Sequence, residues 1–165
     1  MIDRKSNIFR ATPEYPYHIS VGAVVVNEKN EILCHHFDEI NVHGVLIKDL
    51  YILMRESLEL GETLEEAVAR GLQEEFGAKG EILSSLGVIV AQHHDRGFLE
   101  NKSTLYFLVK CTELNPENRA KNDIEAGSKL AFYGRDFLIS KMKDQGKDLN
   151  RTDLDESKII KRIIF

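Results

Sequence analysis

Cysteine and proline are scarce in this chain and basic residues are outnumbered by acidic ones, 22 to 27, and each of these features closes off a class of function. Only two cysteines, Cys34 and Cys111, stand among its 165 residues. They form no CxxC pair and each lies in an apolar, strand-like run, which fits reduced core thiols and neither a disulfide framework nor a zinc site. Two of the three prolines, Pro13 and Pro16, fall in the leader, so residues 1–16 are expected to form an irregular arm before the first strand. That leader has no apolar segment of signal-peptide type, and no window is apolar for long enough to span a bilayer; no membrane contact and a cytoplasmic location are expected. The formal net charge of −5 speaks against a general nucleic-acid surface, which needs a basic patch. A nucleotide is a different matter, because a bound metal supplies positive field locally. There is no GxxxxGK[ST] phosphate loop, no GxGxxG fingerprint and no GxSxG elbow, so kinase-like and dinucleotide-binding readings lack support.

What is present suits a single domain over residues 1–165, with no internal repeat or low-complexity linker. The length can bury a real core, and 42% hydrophobic with 30% charged residues is ordinary for a soluble globular chain. Residues 18–26 (HISVGAVVV) are β-branched and apolar, as a strand covered on both faces would be. Residues 31–37 pair back as a hairpin, 38–49 read as loop, and 50–54 as a short strand. Strand signals return at 86–92 and 104–110, with a turn at Asp95-Arg96-Gly97. A polar loop is expected over 113–128, a short strand over 130–133 and a helix over 136–143. A last helix is expected from Thr152 to Ile164, burying Leu154, Ile159, Ile160, Ile163 and Ile164. The order of strands, one central helix, strands and terminal helices predicts an α/β sandwich with a mixed sheet.

The central helix carries the chemistry. Thr63 with Glu66 three residues on is a capping box, and Gly77 or Gly80 can close the helix in a left-handed cap. Leu64, Ala67, Val68 and Leu72 form its apolar stripe. Glu66, Arg70 and Glu74 follow at i, i+4 spacing with Glu75 beside Glu74, and Glu62 lies within reach of Arg70. Glu74 and Glu75 sit at the end of the helix where the dipole disfavours negative charge. A cation that neutralised them would account for the pair; a solvated acidic face is the plainer alternative.

The run from Glu56 to Gly77, ESLELGETLEEAVARGLQEEFG, resembles the Nudix box. Glu62 matches its first acid, Arg70 its arginine, Leu72 its aliphatic position, Glu74 and Glu75 its paired acids and Gly77 its glycine. Glu59, Gly61, Thr63, Glu66 and Ala67 match its common flanking pattern. The resemblance implies a Nudix-type α/β/α sandwich and a hydrolase of nucleoside diphosphates linked to another group. It implies Mg²⁺ or Mn²⁺ on Glu74 and Glu75, with Glu62 and Arg70 as a brace. A further acid from a distant loop is usual in such enzymes; Glu125 is the first candidate and Glu100 the second. A capped or 5′-phosphorylated RNA end is the one nucleic-acid substrate the resemblance admits.

Two positions depart from the box. Its opening glycine is Glu56, preceded by Arg55, which alters the loop without removing a side-chain ligand. Its RE pair is Arg70-Gly71, so an acid that binds metal or activates water in the family is missing. A glycine inside a helix costs about 1 kcal/mol relative to alanine, and the sequence shows no backbone reason for it. Three readings stay open: a site working with Glu74, Glu75 and a distal acid; a site remodelled by Glu56 or Arg55; or a catalytically impaired nucleotide-binding or regulatory domain.

Outside the box, Arg96 and Lys102 are candidate phosphate contacts, and His93 or His94 a candidate for a substrate phosphate or base. His35-His36 and His93-His94 cannot chelate one ion as pairs, because neighbours on a strand point to opposite faces. The C-terminal RIIF docks either within the fold or against a second copy, which would make a homodimer.

Overall fold

Alternation along the first strand sets the layers. In the computed structural model, which describes residues 9–42 and 44–165, β1 (Tyr17–Val26) sends Val24 and Val26 to one face and Val21, Ala23 and Val25 to the other. Both faces are covered from Ser20 onward, so β1 is buried from Ser20 to Val26. The other strands are β2 (Ile32–Val42), β3 (Val45–Ile52), β4 (Met54–Ser57), β5 (Ala78–Asp95), β6 (Phe98–Leu114) and β7 (Lys129–Tyr133). The sheet runs β3-β2-β1-β6-β5, with β4 on β1 and β7 on β2. β1 and β6 are parallel and the other pairs antiparallel, which makes the sheet mixed.

Helix α1 (Leu64–Gly71) packs Ala67 and Val68 on the Val21, Ala23 and Val25 face. Helices α2 (Arg135–Asp148) and α3 (Ser157–Ile160) cover the opposite face with Leu138, Met142, Ile159 and Ile160. The result is an α/β/α sandwich.

Several elements differ from expectation. The arm is described only from Phe9; residues 1–8 of it lie outside the described residues. Residues 38–49 are not a loop: β2 and β3 continue through them, pairing Glu39 with Lys48 and Ile40 with Ile47. Their mixed composition is that of strands with one wet face. β5 and β6 extend well past their apolar centres as a long hairpin, and its turn has positive φ at Arg96 and Gly97. Gly80 lies in β5 and caps nothing. The last helix breaks into a 3₁₀ turn, Thr152–Leu154, and the single turn of α3. Its polar side chains are held elsewhere: Glu156 accepts from Leu53 N at 2.8 Å and from Tyr106 Oη at 2.5 Å. Leu154, Ile159, Ile160 and Ile163 are buried as expected, but Ile164 is 93% exposed.

Candidate active site

Helix α1 starts on a complete capping box. Thr63 Oγ1 accepts from Glu66 N at 3.1 Å, and Glu66 Oε2 accepts from Thr63 N at 2.8 Å. The helix continues as one wide π-helical turn, Leu72–Phe76, and closes at Gly77 in the left-handed region with φ 63°. Phe76 and Leu72 are buried in the core, which pins the wide turn between the sheet and solvent.

Arg70 is the hub of the acidic loop. Its Nε donates to Glu62 Oε1 at 2.8 Å and its Nη2 to Glu62 Oε2 at 3.0 Å, a two-point grip. Nη2 also donates to Ser57 O at 2.8 Å, tying α1 to the end of β4. Nη1 lies 3.3 Å from Glu56 and 3.6 Å from Glu74. Glu74 thus has a cation from the protein itself, and its side chain is 41% exposed.

Glu75 has the opposite fate. It is 5% exposed, and its Oε2 lies 2.9 Å from His35 Nε2 and accepts from Arg55 N at 3.3 Å. His35 comes from β2 on the same face as Leu33, the face that α1 covers. Its Nδ1 is 2.8 Å from Ser128 Oγ, and that hydroxyl donates to Glu125 O at 2.7 Å. A hydroxyl has one proton, so Ser128 must accept from His35 Nδ1–H. Burial, with Arg119 and Arg55 nearby, pushes the His35 imidazole down to about 3, so the ring is neutral. Its Nε2 is then a lone pair, and the proton between it and Glu75 belongs to Glu75. Burial, then the charges of Glu125 and Glu56, push the Glu75 carboxyl well up, in agreement with that ordering.

Glu125 is brought in by a tied loop. Ala120 N donates to Glu74 O at 2.8 Å, Asn115 N to Gly77 O at 2.9 Å, and Arg119 Nη2 to Glu125 O at 2.5 Å. Burial raises the Glu125 carboxyl, with Asp123 and Glu56 adding to it. Glu56 is also raised by burial, against the pull of Arg70. Glu56, Glu75 and Glu125 therefore face one another electrostatically.

The place of Gly71 explains its missing side chain. A Cβ there would stand 2.6 Å from Met54 Sδ and 2.9 Å from Glu56 Cβ. Strand β4 occupies the space that a box acid would need, and the residue that takes it is the glutamate standing where the box has its opening glycine.

Two cavities meet beside these acids. One of about 240 Å³ has Glu75, Glu125, His35 and Arg55 at its charged end. The other, of about 350 Å³, is lined by Arg10, His18, His93, His94, Arg96 and Glu100, among others. Val42, Lys102 and Arg151 line both. The Lys102 ammonium has no hydrogen-bond or ion-pair partner among the described residues, and burial, with the charge of Arg55, pushes it down to about 8. His93 Nδ1 is a buried polar atom with no hydrogen-bond partner there. Arg96 is drawn to Asp95 at 3.1 Å and to Ala11 O at 3.1 Å, and the exposed His94 stands at the rim. Glu100 is turned to His18 at 2.7 Å, away from the acid group.

A family model described as NUDIX domain matches residues 16–134. The chain belongs to the NUDIX family. Its fold is shared by a NUDIX hydrolase from Nitrosomonas europaea, with TM-score 0.59 and 19% identity over 76% of this chain and 77% of that one. It is shared also by a MutT protein from Methanosarcina mazei Go1, with TM-score 0.51 and 19% identity over 76% and 82%. At such identity the likeness is one of fold. Comparison with curated proteins gives no match. In this NUDIX chain the signal for His35 was available in the strand period, which sets it on the face of Leu33. The roles of Arg55, Arg119 and Ser128 in ordering Glu75 had no local signal at all.

Whether the residues suit the family's divalent metal can be judged from their chemistry. Carboxylate oxygens are the donors a hard dication takes, and three whose charges interact, Glu125 and Glu56 raising Glu75 and Glu56 raising Glu125, form an anionic niche. The described residues place no three acids, cysteines or histidines around a common point as they stand. Glu75 is turned to His35, and Glu56 accepts from Ser57 N at 2.9 Å and faces Arg70. The donor set fits in kind and charge, and coordination needs those side chains to turn.

Proposed function

We propose that this chain is a metal-dependent hydrolase of a diphosphate bond in a nucleoside-diphosphate-type or related organic diphosphate. The observation that carries the reading is the meeting of Glu75 and Glu125, with the charge of Glu56 acting on both, in a cavity whose other charged groups are Arg55, Lys102 and Arg151. Acids to hold a dication and cations to hold phosphate oxygens stand side by side. Glu75, Glu74 and Glu125 are the proposed ligands and catalytic groups, and Glu56 stands in the space of the missing helix acid. Mg²⁺ or Mn²⁺, when bound, would neutralise the diphosphate and acidify a water.

The chain's own groups do the remaining work. Arg70 and Glu62 hold the acidic loop against α1. Glu75 gives up its proton to solvent water and turns from His35 to become a ligand or base, while Ser128 holds the His35 ring in place. Lys102, with no carboxylate of its own, binds phosphate; Arg96 and His94 extend that contact at the rim of the basic cavity. A soluble diphosphate bound in this way would meet cations on one side and carboxylates on the other.

The competing reading, a domain that binds a diphosphate without cleaving it, is favoured by Gly71 and by the Arg70–Glu74 ion pair at 3.6 Å. Chromatographic detection of the two phosphorylated cleavage products from a panel of nucleotide sugars, dinucleoside polyphosphates, triphosphates and capped RNA, with Mg²⁺ or Mn²⁺, separates the two. Turnover lost in Glu75→Gln supports hydrolysis. Binding of Mn²⁺, read by the loss of its free-ion spectrum, with no turnover of any member supports the binder.

A further inference from the structure

The cavity beside Glu75 has a wall of one chemical kind. Ile40, Val42, Ile47, Ile52, Ile124 and Leu154 line it, from the β2–β3 hairpin, the Glu125 loop and the 3₁₀ turn before α3. Its polar side chains are all charged or imidazole, and they gather with Glu75, Glu125 and Lys102. No serine, threonine, asparagine, glutamine or tyrosine is among the residues lining it. Its aromatic ring is Phe37, 5% exposed and packed 6.2 Å from His35. A nucleobase is recognised by neutral donors and acceptors on its edge and by an aromatic face to stack on. This cavity offers the base neither; it offers aliphatic surface next to three cations.

We infer that the group carried into this cavity is an aliphatic chain attached to the diphosphate, with the phosphates on Lys102, Arg55 and Arg151. The inference rests on the diphosphate reading and narrows its substrate. Charge complementarity selects the head, and burial of methylenes against Ile40, Ile47 and Leu154 selects the tail. A strongly polar sugar or base here would lose its water and gain no matching hydrogen bond.

Calorimetric titration of the full chain with uncleavable, methylene-bridged diphosphates tests it, in excess Mg²⁺. The series is methylenediphosphonate itself, its methyl, butyl and octyl esters, and the methylene analogue of adenosine diphosphate. The expected result is affinity rising about two- to fourfold for each methylene the cavity accepts, with the longer esters binding more tightly than the adenosine analogue. Ile47→Ser should flatten that slope, whereas Val88→Ser, at an exposed position of β5 that lines neither cavity, should leave it unchanged. A flat series with methylenediphosphonate still bound overturns this inference alone. An adenosine analogue tighter than every ester overturns it too. Binding by no member, methylenediphosphonate included, overturns both this inference and the diphosphate reading beneath it.

Discussion

Gly71 is the position where stability and function can be separated by one mutant cycle. In an unconstrained helix interior, Gly→Ala gains about 1 kcal/mol. At Gly71 the new Cβ would stand 2.6 Å from Met54 Sδ and 2.9 Å from Glu56 Cβ. The sulfur belongs to a flexible side chain and can move aside; Glu56 Cβ is fixed to the backbone of β4 and cannot. Overpacking of this kind costs about 1–3 kcal/mol, so Gly71→Ala should be destabilising by roughly 1 kcal/mol net. In a Glu56→Gly background the fixed atom is gone, and the same change should become neutral or stabilising. Urea unfolding of the wild type, both single variants and the double variant gives the coupling, which should exceed about 1 kcal/mol. Gly71→Ala stabilising the wild-type chain, or single effects that add to within about 0.5 kcal/mol, would refute steric exclusion by β4. The exchange Glu56→Gly with Gly71→Glu places both residues as the box has them, and by the same argument it should fold where Gly71→Glu alone is impaired.

The capping box gives a simpler test: Thr63→Ala should cost about 1 kcal/mol in the same urea assay, with no change in Mn²⁺ binding. Burial pushes the Asp153 carboxyl up, but hydrogen bonds from Arg151 and the charge of Arg55 outweigh it and hold it at about 2. A depressed carboxyl contributes stability that is full above its unfolded value and lost as pH falls through the folded one. Between pH about 4 and 2 the chain should therefore lose roughly 2 kcal/mol through this group, a loss that acid titration of Asp153→Asn should lack. Lys102, pushed down to about 8, should bind diphosphate progressively less well in the free protein as pH rises through that value. Lys102→Arg should hold its affinity through the same range, because arginine does not titrate there.

The α/β/α order and the mixed sheet were legible in the sequence, because β1 and α1 have strong periodicity and α1 has a complete cap. The hairpin over 38–49 was not, since a strand with one wet face has the composition of a loop. The terminal helix failed for a different reason: Thr152 looks like a cap, but Glu156 is captured by Leu53 and Tyr106, and tertiary contacts override local propensity. Around the site, the spacing of Glu62 and Arg70 foretold a contact that local helix geometry then makes. The environment of Glu75 could not be read in that way, because His35, Arg55 and Ser128 come from β2, β4 and the edge of β7.

The sequence by itself therefore determined the family, the acidic helix and the absence of one acid at Gly71, because these reside in identity and spacing along one element. Only the tertiary structure decided what that absence means. Strand β4 crosses where the side chain would go, Glu56 arrives on it, and Glu75 turns inward to a neutral histidine. Steric exclusion and burial act between residues distant in the chain, and no local pattern encodes them.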